Sequence, residues 1–215
     1  MDKILLGIFF ILVLFFGPAG TFDWPEAWVY LGMMFVYFLP TVIYLKKFNP
    51  ELLKRRTNFK PEKNWDAVIT YGSAAIFIVM LIIMGFDTVR FGWSEVPFWL
   101  KTISFVGIGL SFVLLFLVMR ENAYLARIVR VEREQKVVTT GPYSIVRHPM
   151  YVAVIGQFTL FPLALGSFYA LPLAILVDIF IIIRIILEEK TLFEELEGYK
   201  EYVQKTRYRL LPGVW

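Results

Sequence analysis

The stretch Gly141–Tyr151, GPYSIVRHPMY, concentrates groups able to hold a polar ligand. It contains His148, the protein's only histidine, between Arg147 and Pro149, with Tyr143 and Tyr151 close by. Gly141 and Pro142 break regular structure and predict a turn. Pro149 suits the first position of a new helix, where a missing N–H costs nothing. Unsatisfied backbone donors at such a helix start, beside Arg147, His148 and two tyrosines, suit a polar ligand. The same residues also read as a positively charged membrane-edge loop, and the stretch alone does not choose between the two.

A second cluster follows in DIFIIIRIILEEK, where Asp178 and Arg184 sit in an apolar run that ends in Glu188 and Glu189. An ionisable residue within a membrane helix is costly and marks function by default. Arg184 and Glu188 are four residues apart and share a helix face. The plain alternative is an i,i+4 ion pair with Arg184 snorkelling to the interface. Asp178 lies on another face, and Gln157, at similar depth on the preceding helix, is its expected hydrogen-bond partner.

These clusters need a scaffold, and the composition says which kind. The chain has 215 residues, 58% hydrophobic and 19% charged, with no cysteine. Its apolar residues lie in long runs, several reaching the roughly 20 residues a membrane helix needs. The expected fold is all-α: a polytopic membrane helix bundle of about six transmembrane helices. A C-terminal helical hairpin and an amphipathic cytoplasmic tail helix complete it. One domain spans 1–215, with N-terminal helices over 1–119 and a cofactor-binding catalytic part over 120–215. Absence of cysteine excludes disulfides, thiolate metal sites and a cysteine nucleophile. The net charge of +4 reflects basic loops rather than a nucleic-acid surface.

Along the chain, Ile4–Phe16 is a short apolar run that resembles a signal peptide. It leads directly into a turn and a second apolar segment, so a retained helix is expected, with Trp24 and Trp28 as interfacial anchors. The second span is Trp28–Leu45, followed by Lys46, Lys47, Lys54, Arg55, Arg56, Lys60 and Lys63, a strong cytoplasmic signal. Attraction to anionic lipids is the default reading of that cluster. Trp65–Phe86 is the third span, with Gly72, Ser73, Ala74 and Ala75 offering a small-residue packing surface. Asp87–Pro97 reads as a short outer loop. Phe98–Met119 is the fourth span; its Gly107 and Gly109 suit helix packing and lack the strand and turn of a nucleotide-binding fingerprint. Arg120–Val138 is polar and carries Arg120, Arg127, Arg130, Arg133 and Lys136, which returns it to the cytoplasm. Tyr151–Leu165 and Leu171–Leu187 form the hairpin, joined by Gly166–Ser167. Lys190–Gln204 reads as amphipathic.

An even number of spans puts both termini inside, with the basic segments 46–64, 120–147 and 188–215 all cytoplasmic. The two arms of the hairpin then bring GPYSIVRHPMY and Arg184–Glu189 to one mouth. One histidine with scattered carboxylates has no recognisable metal-ligand spacing, so no metal is expected. Nor is there a nucleophile elbow or a Walker loop. A site for a charged soluble cofactor, opening sideways to lipid, uses every feature named.

These residues also carry a family resemblance. GPYSIVRHPMY resembles the GPY-x-x-x-RHP-x-Y element of the isoprenylcysteine carboxyl methyltransferase family, and EEKTL resembles its EE-x-x-L element. That family lies in a broader group with the phospholipid N-methyltransferases. PAGTFDWPEAWVYL, MRENAYLARIVRVE and LEGYKEYVQKTRYRLLPGVW are similar to segments of bacterial members, and the resemblance is strongest over 119–215. Alanine at 153 stands where members commonly have glycine, a mild change.

The resemblance implies a membrane methyltransferase using S-adenosyl-L-methionine, acting on a lipophilic small molecule or lipidated substrate in contact with membrane lipids. Tyr143, His148, Pro149, Met150 and Tyr151 would line the cofactor pocket, with Gln135, Lys136, Val137 and Val138 beside them. Glu188 would be a cofactor ligand with Glu189 as its neighbour. Arg184 matches a family arginine associated with substrate. It would hold a substrate carboxylate through paired hydrogen bonds. Methyl transfer to a carboxylate needs positioning more than acid–base chemistry. His148 then positions; for an amine acceptor it becomes the candidate base. Carboxyl O-methylation of an isoprenylcysteine-like substrate is the leading expectation. Phospholipid N-methylation, an NADPH-dependent lipid or sterol reductase, and a silent membrane scaffold are the alternatives.

Overall fold

The computed structural model describes residues 3–57, 61–125, 128–129, 131 and 135–215. Lys60, Arg127, Arg130 and Arg133, named above for their charge, lie outside them. Among the described residues the chain is helical: α1 (Lys3–Ala19), α2 (Pro25–Phe48), α3 (Pro50–Thr57), α4 (Asn64–Met84), α5 (Phe98–Glu121), α6 (Pro149–Leu165), α7 (Leu171–Glu195) and α8 (Tyr199–Lys205). Among the described residues, three segments are long and apolar enough to cross a membrane: Pro25–Phe48, Asn64–Phe91 and Phe98–Glu121. α1 and α6, at 17 residues each, are shorter apolar helices. α7 has 25 residues and carries Asp178, Arg184 and Glu188 within its apolar run.

Proline and glycine set the element boundaries. Pro25 and Pro149 open α2 and α6 in the first turn, where the lost N–H has no intrahelical partner anyway. Gly166 closes α6 at φ 92°, a left-handed conformation that side-chain-bearing residues rarely adopt. A Cβ there would also lie 2.9 Å from Thr88 Cγ2, so the hairpin tip is doubly committed to glycine.

Several segments depart from the sequence reading. The third span does not end at Phe86 but continues as a π-helix over Gly85–Phe91. Asp87 therefore belongs to a helix, and only the residues after Gly92 form the outer connection. There Asp87 Oδ2 accepts hydrogen bonds from Ser94 Oγ (2.7 Å) and Ser167 Oγ (2.5 Å), fastening the end of α4 to the hairpin tip. The amphipathic segment expected over 190–204 is two pieces. Its first residues complete α7, and α8 begins after a left-handed turn at Gly198. Trp24 is no interfacial anchor: it is 1% exposed, in a core with Phe15, Tyr30 and Phe161. Trp28 is exposed and donates Nε1–H to Phe22 O at 2.9 Å.

Lipid offers apolar surface as readily as a neighbouring helix does, so close packing and polar contacts must hold the bundle together. Small residues supply the first, as the sequence predicts for Gly107: a Cβ there would sit 2.4 Å from Leu160 Cδ1, drawing α5 and α6 together. Polar contacts supply the second. Asp178 pairs not with Gln157 but with Thr159, whose hydroxyl donates to Oδ2 at 2.6 Å. Thr159 is two residues from Gln157 and therefore on a different face of α6, the one turned to α7. Gln157 instead lines a small cavity with Tyr30, Phe77, Phe158 and Phe161.

The basic segments meet at one end of the bundle, as expected. Arg55 Nη1 donates to Ala123 O at 2.8 Å. Lys63 reaches Thr191 Oγ1 (2.8 Å) and Glu195 Oε1 (2.9 Å) on α7. Both functional clusters lie at this end.

Candidate functional site

Gly141–Ser144 forms a 3-10 turn and Pro149 starts α6, so GPYSIVRHPMY is a turn running into a helix. Two of the backbone donors just before the helix start are taken by the chain itself rather than left for a ligand. Arg147 N–H donates to Tyr208 O at 2.9 Å and His148 N–H to Arg209 O at 3.0 Å. The C-terminal segment thus clasps the turn. Tyr202 Oη adds a hydrogen bond to Tyr143 O at 2.7 Å.

Beneath that clasp lies Glu189, whose side chain is 3% exposed. Its Oε1 accepts from Arg147 Nε at 2.6 Å and lies 3.2 Å from His148 Nε2, while Oε2 accepts from Arg209 Nε at 2.6 Å. Burial alone would raise this carboxyl. The bonds from His148, Arg147 and Arg209 outweigh it and hold the group well below the usual carboxylate range. An ionised carboxylate only accepts, so His148 Nε2 carries a proton toward it. Glu189 is a buried hub, away from the cavity its neighbour faces.

Glu188 faces that cavity, and so do Gln135, Lys136, Val137, Val138, Tyr143, His148, Pro149, Met150 and Tyr151. Tyr151 Oη donates to Glu188 Oε2 at 2.5 Å. Asn122 Nδ2 donates to Tyr143 Oη at 2.9 Å, which fixes that ring. Tyr199 and Tyr202 from the α8 region complete the wall. Burial pushes the Tyr143 and Tyr199 phenols up, and Tyr202 to about 12, so these rings are neutral at physiological pH. A carboxylate among neutral aromatic faces suits a positively charged ligand. The enclosed space is about 100 Å³, room for part of a nucleoside-sized molecule.

Arg184 lines a second, larger cavity of about 430 Å³ between α4, α6 and α7. Ile69, Ala74, Val154, Phe158, Val177 and Ile181 make it apolar, and Arg56, Thr70 and Arg184 give it a polar end. Tyr71, 58% exposed, stands at its rim. Ser73 and Ala74, expected to pack against a helix, leave this space open instead; Gly72 does meet Phe180 of α7. The two cavities share Ile128, Met150 and Tyr151 as a common wall.

Arg184 is not simply snorkelling. Its Nη2 forms an ion pair with Asp66 Oδ1 at 2.8 Å, and its guanidinium carbon lies 6.0 Å from the Tyr151 ring centroid. Asp66 is fully buried in the first turn of α4, and its Oδ2 accepts the Val129 N–H at 3.0 Å. Sequence reasoning missed Asp66, although a lone carboxylate at the start of an apolar helix was a usable signal. It also missed Asn122, and it named Arg147 without its role as a clasp. The first needs the fold to bring α5 against the turn, and the second needs the tail.

No curated protein matches the chain at the level required for significance. The sequence model of the phospholipid methyltransferase family matches residues 99–199, covering α5, the turn, α6 and α7. Over residues 99–199, just under half of its length, the chain is therefore similar to the phospholipid methyltransferases.

Proposed function

We propose that this protein transfers a methyl group from S-adenosyl-L-methionine to the oxyanionic head of a lipophilic acceptor, most simply the carboxylate of an isoprenylcysteine-like molecule. One observation carries the reading: a cavity suited to a cation and a cavity suited to a lipid tail share a wall at Met150 and Tyr151. The residues of the first cavity fit the cofactor, since Glu188 and the tyrosines complement a sulfonium and its amino group.

When bound beside Glu188 and Tyr151, the cofactor would supply an electrophilic methyl group for an acceptor oxygen. The protein's part is placement. Glu188 and Tyr151 orient the donor side, and Tyr151 forms the boundary that both sides touch. Arg184 holds the acceptor oxyanion, and the apolar length of the second cavity takes the tail. A carboxylate is already ionised at neutral pH, so no proton has to move, and alignment in a shielded site supplies the rate. His148, committed to Glu189 through Nε2, positions the turn. Gln135, Lys136, Val137 and Val138 line the same cavity and would contact the cofactor there. The basic end of the bundle faces the cytoplasm, together with both termini and the site.

The matched family favours a second reading, N-methylation of a phospholipid headgroup. An amine acceptor has to lose a proton, and His148 Nδ1 is then the candidate base. The deciding experiment offers reconstituted full-length protein labelled S-adenosylmethionine with an S-prenylated cysteine analogue or with phosphatidylethanolamine vesicles. Base-labile label in the first supports the proposal. Base-stable label in the second alone replaces it with N-methylation, and no transfer to either refutes both.

A further inference from the structure

The polar end of the lipid cavity includes the side chain of Thr70, whose hydroxyl has no role in the chemistry above. Serine and threonine hydroxyls on apolar helices ordinarily donate to the carbonyl one turn back. Thr102, Ser104, Ser111 and Thr191 all do so here, to Phe98 O (2.9 Å), Leu100 O (2.7 Å), Gly107 O (2.9 Å) and Leu187 O (3.3 Å). Thr70 Oγ1 is buried yet has no hydrogen-bond partner among the described residues. It lines the same cavity as Arg184. An unsatisfied hydroxyl in an apolar setting carries a desolvation cost and calls for an explanation.

Thr70 is four residues after Asp66, so the two share a face of α4. Asp66 grips Arg184 through Oδ1 at 2.8 Å and anchors Val129 N–H through Oδ2 at 3.0 Å. That face of α4 therefore fixes the guanidinium in place and puts the Thr70 side chain in the wall of the same space, with its hydroxyl covered. We infer that Thr70 is a substrate-binding residue: rotation about χ1 brings its covered hydroxyl into the cavity, where it donates to the acceptor's oxyanion, which Arg184, aligned by Asp66, holds from α7. The ligand chemistry is a carboxylate or phosphate oxygen on a lipid tail. This rests on the proposed function only in taking the second cavity as the acceptor's. Asp66 is a positioning residue, since it lies outside the cavity lining.

The test uses Thr70→Val, a near-isosteric change that removes the orphan hydroxyl. Full-length protein in detergent is assayed for binding of the S-prenylated cysteine analogue without cofactor, for binding of a lysophosphatidate, and for S-adenosylhomocysteine binding. Thermal unfolding serves as the folding control. The expected result is unchanged or raised thermal stability, because a buried unpartnered hydroxyl is gone, unchanged S-adenosylhomocysteine affinity, and about tenfold weaker binding of whichever oxyanion amphiphile the wild type prefers. Preference for the cysteine analogue or for lysophosphatidate identifies the source of the oxyanion. Wild-type amphiphile affinity in Thr70→Val overturns the inference, as does failure of the wild type to bind either amphiphile. Absence of methyl transfer with amphiphile binding intact and sensitive to Thr70 refutes only the proposed function. Asp66→Asn, which keeps an acceptor for Val129 N–H but removes the charge facing Arg184, lowers kcat more than it changes S-adenosylhomocysteine affinity. An equal loss in both would reduce Asp66 to a structural tie and remove it from the inference.

Discussion

Replacing Glu189 with glutamine removes the charge that three basic side chains share while preserving shape. Arg147, with its side chain 5% exposed, loses a 2.6 Å ion pair in a buried setting. Breaking one partner out of a buried pair costs about 3–5 kcal/mol, because the remaining charge is uncompensated. Two features place this site toward the lower end. Arg147 Nη1 keeps Thr206 O (3.1 Å) and Arg207 O (2.6 Å) as acceptors. Arg209, 32% exposed, keeps water and the Trp215 ring, whose centroid lies 4.8 Å from its guanidinium carbon. The loss expected for Glu189→Gln is thus about 3 kcal/mol. It is read by denaturant unfolding in detergent micelles, with limited proteolysis reporting release of residues 206–215. The pH dependence provides an independent check. The folded pKa of Glu189 is depressed, so its stabilisation is fully present above the unfolded carboxylate value, near 4.3. It is lost as pH falls below that value toward the folded pKa. Wild type therefore loses more stability than Glu189→Gln between roughly pH 5 and pH 3. Equal stabilities at pH 7, or parallel acid profiles, would refute the buried-hub argument.

Glu188→Gln is expected to weaken S-adenosylmethionine binding roughly tenfold to a hundredfold, the worth of a charge-assisted hydrogen bond, with fold stability little changed; isothermal titration measures it. Ala74→Phe fills the lipid cavity, so it raises KM for a lipophilic acceptor and leaves cofactor affinity alone in steady-state assays. Gly85→Ala is predicted to destabilise by about 1–3 kcal/mol in the same unfolding assay, as overpacked cores do. The added Cβ would meet Ala19 N and Pro18 Cβ, both at 2.8 Å, and backbone cannot swing aside.

Much of the first cavity was legible because its residues are contiguous. Gln135–Val138, Tyr143 and Arg147–Tyr151 line one cavity because a turn and a helix start hold them together, and the hairpin returns Glu188 to the same mouth. Periodicity could not separate Glu188 from Glu189. Adjacent residues point about 100° apart on a helix, and only the position of the tail decides which one is buried. The second cavity was poorly legible because its polar groups come from distant elements. Asp66 and Thr70 on α4 acquire meaning only when α7 delivers Arg184, and no local pattern records that meeting. Helix ends were missed for a different reason. Apolar continuity stops at Phe86, but Asp87 stays helical, with its Oδ2 taken up by Ser94 and Ser167.

The central claim is that the cavity walled by GPYSIVRHPMY and Glu188 takes S-adenosylmethionine. Equilibrium binding of the labelled cofactor to purified full-length protein tests it most directly. The account predicts one saturable site per chain, displaced by S-adenosylhomocysteine, indifferent to NADPH and weakened by Glu188→Gln. Absence of saturable binding, or displacement by NADPH, would contradict it.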